Sequence, residues 1–103
     1  MTPTAILSTV CRSFRVKRTW EGGAADQLRN LDQQSADFTV HQLAYAVLWA
    51  DWTGRITGTV SLALRRATPW QAAQLIAAMI RDGVTTIGEV PAWMNQNGVE
   101  ALG

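Results

Sequence analysis

The chain has 103 residues, 48% hydrophobic and 17% charged, with a formal net charge of +1. That length suits one domain over residues 1–103, and the composition excludes both intrinsic disorder and a strongly one-signed surface. A single cysteine, Cys11, excludes an intramolecular disulfide and suits a reducing compartment.

In chain order, Thr2 and Pro3 form a helix start, a capping hydroxyl followed by a proline whose missing N–H costs nothing there. Ile6, Leu7, Val10, Cys11 and Phe14 then fall on one helical stripe, which predicts a helix near residues 3–16. Arg12 and Arg15 interrupt the apolar run that a signal peptide would need, and no uncharged run reaches the ~20 residues of a membrane span. The expectation is a cytoplasmic protein with no membrane association. A connector of mixed polarity follows, with room for two helical turns through Leu28 and Leu31.

Asp37 or Thr39 caps the next predicted helix, near residues 39–53. Val40, Leu43, Ala44, Val47 and Leu48 make its first apolar stripe. At 100° per residue Trp49 points about 180° from Val40, and Tyr45 about 140°. A helix apolar nearly all round is either central and buried or shared between two interfaces. The second option makes Tyr45, Trp49 and Trp52 a surface for another chain. It leaves Asp51 awkwardly close to the core-facing stripe.

The stretch from Arg55 to Arg66 carries two periods at once. Ile56, Gly58, Val60, Leu62 and Leu64 alternate like a strand, whereas Val60, Ala63, Leu64 and Ala67 share a helical face. Helix is the expectation. The alternative is an α+β fold in which residues 13–20 and 55–65 form a short hairpin or an intermolecular strand pair. Next, Thr68 and Gln71 spell a capping box around Pro69, and Gly83 stands where a C-terminal glycine belongs, giving a helix near residues 69–82. Thr86 and Glu89 suggest a further cap. Pro91 argues for a break, then a second short helix closed by Gly98. The predicted class is mainly α, a compact small domain of four to five helices.

Chemistry-bearing motifs are sparse. His41 is the only histidine, in a row with Asp37 and Tyr45 but without a nucleophile, and one histidine with one aspartate is a poor metal site. No lysine follows Lys17, which excludes a P-loop. Neither a catalytic residue, a metal nor a cofactor is predicted, and an enzyme is not the expected class.

Residues 80–94 have a helix-turn-helix outline, with a tight glycine turn between the helices. From residue 82 onward, however, the chain carries three acids and no basic side chain, so this segment would be repelled by phosphate. Charge comes in alternating blocks: +4 over residues 1–20, −4 over 21–51, +4 over 52–81 and −3 thereafter. Complementary neighbours within the fold, or between copies of it, explain such blocks. An arginine-rich nucleic-acid face built from Arg12, Arg15, Arg65 and Arg66 is the alternative.

Five tryptophans stand in this short chain, and tryptophan is common at protein interfaces. In size and patterning the chain is similar to the short helical assembly and regulatory proteins of bacteriophages and mobile elements, a likeness that carries over no individual residue. The reading is a small non-enzymatic domain that binds protein, foremost its own copies as a homo-oligomer, through Tyr45, Trp49, Trp52, Trp93 and Met94. A DNA-binding regulator using the arginines is the second reading.

Overall fold

The computed structural model describes residues 2–10 and 40–103. Five helices lie within them: α1 over residues 3–10, α2 Val40–Trp52, α3 Gly58–Arg66, α4 Pro69–Arg81 and α5 Glu89–Leu102. No strand occurs among the described residues, so the mainly α class holds. Residues 13–20, half of the strand-pair alternative, lie outside the described residues. Residues 55–65 are not a strand.

Local chemistry sets the helix ends. Thr2 Oγ1 accepts from the Ala5 N–H at 3.3 Å, capping α1 as its hydroxyl predicts. At the end of α2, Gly54 takes φ +72°. Its N–H bonds to the Asp51 carbonyl at 3.1 Å, and the Arg55 N–H reaches back to Ala50 at 2.9 Å. This is a Schellman closure, which needs the left-handed conformation that glycine adopts without a Cβ penalty. The end of α4 repeats it: Gly83 has φ +76°, with Gly83 bonded to Ile80 and Val84 to Met79. At the start of α4 the capping box is complete. Thr68 Oγ1 accepts from the Gln71 N–H at 3.2 Å, and Gln71 Oε1 accepts from the Thr68 N–H at 2.8 Å.

Where two periods compete, the helical one prevails. In α3, Val60 and Leu64 lie one turn apart and are both buried. Helix formation also satisfies the backbone within the segment, whereas a strand requires a partner.

The C-terminal segment departs from the expected break. α5 is one helix from Glu89 to Leu102. Pro91 falls in its first turn, where an N–H has no intrahelical acceptor, so the proline costs no hydrogen bond. Gly98 does not close the helix; it lies inside it, buried. A Cβ at position 98 would come within 2.8 Å of Val60 Cγ1. The glycine therefore marks a close approach of α5 to α3.

α5 packs against α2, α3 and α4, and α2 also touches α4. One core cluster draws on all five helices, from Ile6 and Val10 through Leu43 and Val47 to Ile76, Met79, Val90 and Met94. Every residue of α2 from Leu43 to Ala50 is buried. Of the two options for an all-round apolar helix, α2 is the central one.

Candidate functional site

The central position of α2 redistributes the predicted contact residues. Tyr45, Trp49 and Met94 are all buried in the core and offer nothing to a second chain, which corrects the surface role expected of them. The reason is geometric. Angular spread around α2 shows that both its faces need cover, and α4 and α5 of the same chain pack against it. Trp49 is 5% exposed, with the Arg55 guanidinium 4.3 Å from its ring centroid, a cation–π contact where the chain leaves the helix. Asp51 avoids isolation beside the core by accepting a hydrogen bond from Ser61 Oγ of α3. That bond ties α2 to α3.

Two tryptophans are about half exposed: Trp52, at the last position of α2, at 55%, and Trp70, in the first turn of α4, at 43%. The signal for Trp70 was available in the sequence, since position N2 of a capped helix lies at the surface end of its first turn. Trp93 is half-buried, and its indole N–H donates to Asp82 Oδ2 at 3.0 Å. Arg81 Nε donates to the other carboxylate oxygen at 3.2 Å. The Trp93 hydrogen bond, and after it the Arg81 hydrogen bond, hold the Asp82 carboxyl below its ordinary value. Asp82 caps the end of α4, where the helix dipole disfavours an anion, and these two donors offset that.

Trp93 and Asp82 line an open groove of about 820 Å³ between α4 and α5, to which Pro3 of α1, Gln74, Arg81 and Glu100 also contribute. Its walls mix both charges with apolar surface, so they select no one class of ligand. Among the described residues, no group of three or more histidine, cysteine, aspartate or glutamate side chains could hold a metal. Asp37 and the side chain of His41 lie outside the described residues.

Of the predicted basic face, Arg65 and Arg66 are exposed side by side in the last turn of α3. Arg12 and Arg15 lie outside the described residues. Neither Arg65 nor Arg66 forms an ion pair among the described residues, where Arg81–Asp82 is the ion pair present. None of the described helices is long and apolar enough to cross a membrane. Comparison with known protein families, with characterised proteins and with solved structures finds no match for this chain.

Proposed function

We propose that this domain acts by binding protein through an exposed aromatic surface, with its own copies as the first candidate partner. One observation carries the reading: Trp52 and Trp70 are each about half exposed although the same chain buries Trp49 in its core. Scattered small apolar residues at a surface are ordinary. Two half-exposed indoles are less so, because burial of a large apolar side chain is worth roughly 1.5–3 kcal/mol and rigid aromatics are favoured interface anchors. The adjacent exposed arginines Arg65 and Arg66 favour a second reading, a nucleic-acid-binding regulator, in which the cations bind phosphate.

Sedimentation velocity with and without duplex DNA separates the two. The expected result is a species above the 11.3 kDa chain mass that forms without DNA and dissociates in a Trp52→Ser/Trp70→Ser variant. A chain that stays monomeric alone and shifts only with DNA, more weakly as salt rises, overturns the protein-binding reading in favour of the arginine face.

A further inference from the structure

We propose that the partner is a second copy of this chain and that the outer face of α3 in one copy docks on the outer face of α5 in the other. The inference rests on the protein-binding reading and adds to the tryptophan contact a second one, made by different residues, with both needed for this weak association. On α3, Leu62, Arg65 and Arg66 are exposed and fall within an arc of about 100°, opposite the buried Val60 and Leu64. This face has one large apolar side chain, Leu62 at 48% exposure, beside two positive charges and no acid. On α5, Glu89, Ala92, Gln96, Val99 and Glu100 are exposed and fall within a similar arc of about 100°. Here too one large apolar residue, Val99, is 48% exposed, but its neighbours are two negative charges and no base.

The two faces are therefore alike in shape of pattern and opposite in sign. Arg65, Arg66 and Glu100 form no ion pair among the described residues. Among the described residues, the Glu89 carboxylate accepts from the hydroxyls of Thr86, at 2.6 Å, and Thr85, at 3.5 Å. With Leu62 seated against Val99, the guanidinium groups begin one helical turn away, about 5 Å, and Glu100 is next to Val99, within an arginine's reach. Opposite charges around an apolar contact fix register and speed encounter.

A second copy is favoured over another protein because one chain carries both halves. α3 and α5 pack side by side. Each outer face lies opposite its helix's side of the Val60–Gly98 approach, so the two faces point away from each other and the pairing runs head to tail from copy to copy instead of closing on a twofold axis. The contact is a few residues per side, short of the roughly 1,200 Å² of stable complexes, so association is weak and readily reversed by dilution.

Sedimentation equilibrium at low ionic strength on three chains tests this. Wild type should associate as concentration rises, to dimers and then larger species. Arg65→Glu/Arg66→Glu, with both faces acidic, and Gln96→Arg/Glu100→Arg, with both faces basic, should each remain monomeric, and an equimolar mixture should recover association. Leu62→Ser, which changes no charge, should weaken association by at least about tenfold with an unchanged circular dichroism spectrum, separating docking from bulk attraction between oppositely charged chains. If wild type associates and none of these changes affects it, the α3–α5 pairing is overturned, while the protein-binding reading stands. If wild type is monomeric up to about 1 mM, the second copy is overturned as partner, and protein binding must then be to a different chain.

Discussion

Replacing Gly98 by alanine sets two effects against each other. In a helix interior, alanine is favoured over glycine by about 1 kcal/mol, because the unfolded chain has less freedom to lose. At this position the new methyl would come within 2.8 Å of Val60 Cγ1, closer than carbon atoms pack, whereas Met94 Cε at 3.5 Å is in ordinary contact. Val60 cannot simply swing aside. It is buried, β-branched and helical, with one strongly preferred rotamer, so relief requires α3 to move away from α5. Overpacking of this kind costs about 1–3 kcal/mol. The net expectation for Gly98→Ala is a loss of about 1 kcal/mol, which in a domain this size lowers the melting temperature by about 4–8 °C. Val60→Ala supplies the internal control. By itself it should destabilise by about 1.6 kcal/mol for two buried methyl groups, plus the cavity it leaves. In that background the methyl at position 98 has room, and Gly98→Ala should become stabilising by up to about 1 kcal/mol. Urea denaturation of the four proteins reads the cycle. A Gly98→Ala protein more stable than wild type, or an equal effect in both backgrounds, would refute the close approach.

Trp49→Ala should cost about 3–5 kcal/mol, a large share of a typical domain's 5–15 kcal/mol, whereas Trp52→Ser and Trp70→Ser should each stay within about 1 kcal/mol of wild type in the same urea assay. Thr68→Ala removes the hydroxyl half of the capping box and should lower stability by about 1 kcal/mol, seen as a lower melting temperature with the helical circular dichroism signal retained. For Asp82 the native carboxyl titrates below its unfolded value. Its contribution to stability is therefore complete above the unfolded pKa and is lost as pH falls through the lowered native one. Asp82→Asn should accordingly flatten the acid limb of the stability profile below about pH 4 and leave the neutral region's slope unchanged, as followed by thermal melts across pH.

The elements legible in the sequence were those whose signals are local. Thr68, Pro69, Gln71 and Gly83 each specify a backbone conformation at their own position, and α4 begins and ends where they place it. The same holds for Thr2. Gly98 and Pro91 misled because each residue type has two uses. A glycine can end a helix or admit a neighbour, and a proline can break a helix or sit in its first turn. Which use applies at Gly98 depends on Val60, far away in the chain, and spacing along the sequence carries no trace of that meeting. Tyr45 and Trp49 posed a similar problem. Their angle to Val40 establishes that both sides of α2 need cover, but a periodicity cannot say whether that cover comes from the same chain. The exposed faces of α3 and α5 emerged only once Val60 and Gly98 had fixed which sides of those two helices point inward.

The place of α2 has a consequence for how the molecule is made. Its run from Leu43 to Ala50 is buried on every side, and much of that cover comes from α5, whose residues follow only after α3 and α4. During synthesis the most water-averse segment of the described chain leaves the ribosome well before the helix that shelters it. At about 5–20 residues per second the gap lasts some seconds, long compared with the microseconds in which helices form and chains collapse. In that interval α2 is a sticky rod in search of any apolar surface, including a neighbouring nascent chain on the same message. Demand for a chaperone, and losses to inclusion bodies at high expression, should therefore track translation speed between Trp52 and Leu102 more closely than the stability of the finished fold.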